Sequence, residues 1–161
     1  MQIDEIPTPE GSLIAEYARR AGHYTDCFET PVAVPVLLPD FITAFYTQPL
    51  FRAERVVLRL LARTPSTDAE VAALATGQGD TFAVWRLEAR RDDQILLAER
   101  SGRTLSWLQA APDALRFGSV VVPVPGRGGA PTLGPVFQSL AGAHKVYSRA
   151  LLSGAARRVT R

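Results

Sequence analysis

The chain holds one cysteine, one lysine and two histidines among 161 residues, and each scarcity closes off a class of protein. With Cys27 alone no internal disulfide can form, which excludes a secreted disulfide scaffold and leads us to expect a reducing, cytoplasmic setting. His23 and Cys27 are four apart and would share one face of a strand, but a metal site needs about three protein ligands and a reactive thiolate needs an oriented base. A small buried cysteine is the simpler expectation, with no metal and no cofactor. HExxH, CxxC, GxSxG and P-loop patterns are missing. Long apolar runs are missing too: Val32 to Leu38 and Val120 to Val124 are short and carry Pro35 and Pro123, so no membrane-spanning helix and no membrane partner are expected. The acidic start Met1-Gln2-Ile3-Asp4-Glu5 has none of the basic and apolar character of an export signal. Eighteen basic residues against sixteen acidic ones leave a formal charge of +2, too little to draw the chain to nucleic acid. Arginine supplies all the basic residues but Lys145, a bias given no functional weight.

What is present suits one globular domain, since 47% hydrophobic and 21% charged residues can fill a core at this length. Residues 1–11, with Pro7, Pro9 and Gly11, suggest a flexible lead-in, and residues 12–161 a single domain. A short helix is expected from a Ser12 cap to Arg20, stopped by Gly22, and then a strand over residues 23–30. Asp40 would cap a helix starting at Phe41 and ending at Pro49. The segment from Leu50 to Arg63 is amphipathic, with Arg52, Arg55, Arg59 and Arg63 on one side, which suits a solvated face better than an acidic partner's dock. Thr67 and Glu70 match a capping box ahead of a helix that stops at Gly77.

The period then changes. Residues 81–90 alternate as one half-buried strand, followed by strands over 94–100, 103–110 and 115–122 with turns between them. Gly126-Arg127-Gly128-Gly129 is glycine-rich but lacks the Lys-Ser or Lys-Thr of a phosphate loop, so a plain loop is expected. From Pro135 the apolar residues Phe137, Leu140, Tyr147, Leu151 and Ala155, with His144 among them, recur at helical spacing, as one long closing helix. This α+β order, with an antiparallel curved sheet and a long C-terminal helix bearing one apolar stripe, implies a helix-grip.

The stretches DFITAFYTQPLFRAER, STDAEVAALATG, GRTLSWL, LRFGSVVVP and HKVYSRALL resemble a bacterial family related to the START-like, or SRPBCC, domains, including those of polyketide-cyclase type. That resemblance covers about residues 22–158. It implies a cavity for an apolar ligand between sheet and helix, and some relatives are cyclases or hydrolases.

The expected lining of such an interior is Trp85, Leu87, Leu105, Trp107, Phe117, His144 and Tyr147. His144 stands out because imidazole titrates near neutral pH and would face the interior, as an anchor, as an acid or base, or as a core histidine with a satisfied hydrogen bond. Glu99 is a candidate carboxylate partner for it, and equally a solvated strand end. The aromatic strand residues suit core packing better than base stacking. Three functions stay open: a binding module for a small apolar molecule, a cyclase- or hydrolase-type enzyme using His144, and an interaction domain without a cavity. A homodimer is also left open. If Cys27 forms no disulfide, thermal unfolding should show the same midpoint with and without reductant; a drop on adding reductant would contradict that.

Overall fold

The computed structural model describes residues 1–52, 66–126 and 129–160, with the backbone alone given for 135–141. Its centre is a seven-stranded antiparallel sheet: β1 (Asp4–Glu5), β2 (Tyr24–Pro31), β3 (Thr81–Phe82), β4 (Trp85–Arg90), β5 (Gln94–Glu99), β6 (Thr104–Ala110) and β7 (Ala114–Val121), in the spatial order β1-β2-β7-β6-β5-β4-β3. Strands β3 to β7 form a meander, and β2 joins it by pairing with β7 over its whole length, Tyr24 opposite Val121 and Pro31 opposite Ala114. Both edge strands are two residues long, which limits the unpaired backbone offered to other chains. A small hairpin, β8 (Val124–Pro125) with β9 (Pro131–Thr132), leads into the closing helix.

Four helices are named here: α1 (Ala15–Ala18), α2 (Leu38–Thr47), α3 (Asp68–Thr76) and α4 (Pro135–Val159). One sheet face carries α2, α3 and α4, and their contact buries Phe28, Phe41, Phe45, Tyr46, Phe51, Phe82, Leu108, Leu115 and Phe117 in one cluster. The rings pack edge to face or tilted, Phe45 lying 4.8 Å from Phe117 and Tyr46 4.9 Å from both Phe51 and Phe82. The Tyr46 hydroxyl meets Ser106 Oγ at 2.8 Å, so its polar end is satisfied inside the apolar layer. The opposite face is covered by the segment around α1, where Ile14 packs with Cys27, Leu96, Ala98, Leu105, Trp107 and Val120. Gln94 Oε1 pins this cover, accepting hydrogen bonds from Trp107 Nε1 at 2.9 Å and from the Leu13 backbone N–H at 3.0 Å.

Several expectations need correction. The single strand over residues 81–90 is two strands, because the chain reverses at Ala83 and Val84, with Ala83 at a φ of 51°. A non-glycine residue there costs about 1 kcal/mol, and no Gly or Asn marks the turn. The α1 helix has four residues and begins after Ile14, while Ser12 caps nothing and its buried hydroxyl has no hydrogen-bond partner. Helix α2 starts at Leu38, with proline in its first turn, so Asp40 sits inside the helix instead of capping it. Asp4 and Glu5, in the stretch expected to resist regular structure, pair with Glu29 and Phe28 of β2. The Thr67–Glu70 capping box and the left-handed Gly77 stop of α3 are present. Residues 49–52 are helical, but Arg55, Arg59 and Arg63 of the basic stripe and Arg127 and Gly128 of the glycine-rich loop lie outside the described residues. Arg52 pairs with Asp68.

Gly118 shows how tightly β2 and β7 close on the α1 cover, since a Cβ there would come within 2.8 Å of both the Asp26 carbonyl oxygen and Ile14 Cδ1. Neither a backbone oxygen nor a fully buried side chain can move aside cheaply. Gly118→Ala should therefore destabilise the domain by about 1–3 kcal/mol, measured by urea unfolding; an unchanged midpoint would contradict this packing.

Candidate functional site

Alternation along β2 puts Tyr24, Asp26, Phe28 and Thr30 on the helix-bearing face, while Cys27 joins the cluster behind the sheet. Asp26 pairs with Ser119 in register, and α4 lies across this pair of strands with His144 directly above them. Four polar side chains therefore meet at the seam between β2, β7 and α4. Asp26 Oδ1 accepts from the Ser119 backbone N–H at 3.0 Å and from Ser119 Oγ at 2.6 Å. Its Oδ2 accepts from the Tyr24 hydroxyl at 3.1 Å and lies 3.2 Å from His144 Nε2. Ser119 Oγ is also 2.8 Å from His144 Nε2.

Hydrogen positions follow from donor counting. The one hydroxyl proton of Ser119 is committed to Asp26, so Ser119 Oγ can meet His144 Nε2 only as an acceptor. Nε2 therefore carries a proton, shared between Ser119 Oγ and Asp26 Oδ2. Although the set Ser, His, Asp is complete, it is not wired as a nucleophile relay. Such a relay needs an unprotonated ring nitrogen toward the serine and the carboxylate on the other nitrogen, whereas both partners here meet the same one.

The electrostatics follow from burial and partners. The Asp26 side chain is 1% exposed and His144 26% exposed. Burial pushes the Asp26 carboxyl upward, but the hydrogen bonds from His144 and Ser119 and the His144 charge outweigh it and hold Asp26 below the usual carboxylate range. Tyr24 moves the other way: burial raises it most, followed by the charge of Asp26, the hydrogen bond to it and the charge of Glu5. Burial also pushes the Cys27 thiol up to about 12, so it packs as an apolar group. His23 precedes β2 instead of sharing its face with Cys27, and its Nδ1 lies 3.4 Å from the Ala21 carbonyl oxygen. No group of three His, Cys, Asp or Glu able to hold a metal ion occurs among the described residues.

The expected lining residues divide. Phe117 lies two residues from Ser119 on the same face, and Tyr147 is half-buried on α4 one turn from His144, so these three flank one seam. Trp85 and Leu87 also face the helices but from β4, three strands from β7, or roughly 14 Å across the sheet. Leu105 and Trp107 lie on the opposite face under α1 and cannot line the same interior. Glu99 is no partner for His144: it stands opposite Trp85, two strands from β7, and accepts hydrogen bonds from the backbone N–H and hydroxyl of Ser101.

No protein-family model, curated protein or solved structure matches this chain. Among the described residues no helix is long and apolar enough to cross a membrane.

The missed members of the cluster, Tyr24, Asp26 and Ser119, carried one usable signal. Asp26 alternates with Tyr24 and Phe28 on what is otherwise the apolar face of β2, and a carboxylate on a core face demands partners. Because its folded pKa lies below its unfolded value, the folded state binds fewer protons, so Asp26 adds stability that is fully present above about pH 4 and is lost as pH falls through the lower folded value. Asp26→Asn should destabilise the domain near neutral pH by about 1–3 kcal/mol and flatten the acid limb of stability against pH. An unaltered acid limb in chemical denaturation would contradict this account.

Proposed function

We propose that this domain is a helix-grip module, of the START-like kind, that binds a small and largely apolar molecule at the seam of β2, β7 and α4. The single observation that carries the reading is the convergence of Tyr24, Asp26, Ser119 and His144 beside an aromatic layer. A few convergent polar groups next to apolar side chains are the usual composition of a ligand site, the polar set fixing orientation and the apolar set supplying affinity. His144 and Tyr24 both combine contact with the buried carboxylate and partial exposure, so they are the natural anchors. Phe117 and Tyr147 supply the apolar flank. The order of strand, helices, meander and closing helix supports the same reading. A second reading, a cyclase- or hydrolase-type enzyme with His144 as acid or base, draws on the contact between His144 and Asp26, and the wiring described above speaks against Ser119 as its nucleophile.

The test is binding of the neutral fluorophore N-phenyl-1-naphthylamine, whose emission rises on entering an apolar site. Roughly 50 Å² of ligand surface against the Tyr147 ring contributes about 1.3 kcal/mol, so Tyr147→Ala should weaken binding about tenfold. Arg86→Ala, at an exposed position on β4, should leave it unchanged. No emission change with the folded wild type would overturn the binding reading and favour a domain that works through protein contacts alone.

A further inference from the structure

At the outer margin of the same seam, β1 holds Glu5 against α4. Its carboxylate is bound by Lys145 Nζ at 2.6 Å and by Arg149 Nη2 at 3.4 Å. These two cations are four residues apart on α4 and so project from the same side. Lys145 directly follows His144, and the Arg149 guanidinium also lies over the Phe28 ring at 5.4 Å. Glu5 acts on Tyr24 as well, its charge helping to raise the phenol. One carboxylate thus stands beside the Tyr24, Asp26 and His144 cluster, on two cations, at the edge of an aromatic layer.

That carboxylate is lightly held. The strand carrying it is two residues long and lies at the sheet edge, and while Ile3 and Ile6 on either side pack against the two core clusters, the Glu5 side chain between them reaches outward to α4. The side chains of Glu5, Lys145 and Arg149 are all more than a third exposed, so the two ion pairs add little to stability. A cation pair that does little for stability, next to a polar seam, is better suited to exchanging one carboxylate for another.

Building on the binding reading, we propose that the ligand is an amphiphilic carboxylic acid whose head group replaces Glu5 on Lys145 and Arg149 while its apolar body lies along the seam. Glu5 is then an internal competitor that fills the head-group position until the ligand arrives. The exchange moves no covalent bond. A neutral ligand of the same shape gains nothing from the two cations, and this separates the inference from apolar binding in general.

The test compares dodecanoate with dodecanol as competitors of N-phenyl-1-naphthylamine, on the full chain at low salt. Dodecanoate should bind more tightly than dodecanol, and Glu5→Gln should raise its affinity roughly fivefold with dodecanol unchanged, a factor typical of one partly exposed ion pair. The double variant Lys145→Gln with Arg149→Gln should lose the preference for the acid. Lys145 gives an independent readout as the chain's only lysine, because dodecanoate should slow its acylation by an amine-directed reagent, detected by mass spectrometry, and dodecanol should not. Equal binding of acid and alcohol in both the wild type and Glu5→Gln would overturn the inference and leave the binding reading standing. No fluorophore binding would overturn both.

Discussion

A carboxylate with almost no exposure must be bonded at every lone pair or it unfolds its surroundings, and Asp26 meets that condition by drawing on three parts of the chain. Tyr24 comes from its own strand, Ser119 from β7 and His144 from the closing helix. The cost of leaving such a group unpaired, several kcal/mol in a dry interior, makes the arrangement restrictive. Slipping β2 by one residue against β7 would turn Asp26 away from Ser119 and His144 and into the largely apolar cluster of Trp107 and Ile14. Rotating α4 would strip Oδ2 of His144. The register of the central strand pair and the seating of the long helix are tied to one another through this group.

The same requirement explains what could be foreseen from the residues. The antiparallel meander and the closing helix were legible because their periods are long and regular, and α3 because a capping box and a glycine stop are local chemistry. The reversal at Ala83 was not legible, since Phe-Ala-Val-Trp carries no turn residue and the left-handed alanine is imposed by the pairing of Phe82 with Trp85. The extent of α1 was overstated for a related reason: the segment is shaped by the sheet face it covers, and that face is assembled from distant strands.

The seam was half legible. His144 could be placed by its position in an apolar stripe, but its partners lie 25 and 118 positions away in sequence, and nothing local marks Ser119 or Asp26 as a pair. Trp107 and Trp85 look alike in strand patterns, yet the register sets Trp85 opposite Glu99 and Trp107 opposite Leu96, which point to opposite sides of β5, so the two rings fall on opposite faces. Two covered faces make both sets equally apolar, so burial alone could not have separated them.

Strand β2 is bonded on one side to β7, whose Ser119 lies 93 residues further along the chain. Hairpins between β4, β5, β6 and β7 close over short loops, whereas docking β2 requires a large loop to close first, and such non-local pairing slows folding. During synthesis from the N-terminus, β2 leaves the ribosome long before its partner exists. Its alternating face of Tyr24, Phe28 and Thr30 must wait unpaired until the meander is complete, so the interval before that closure is when this chain is most exposed to chaperones and to other copies of itself.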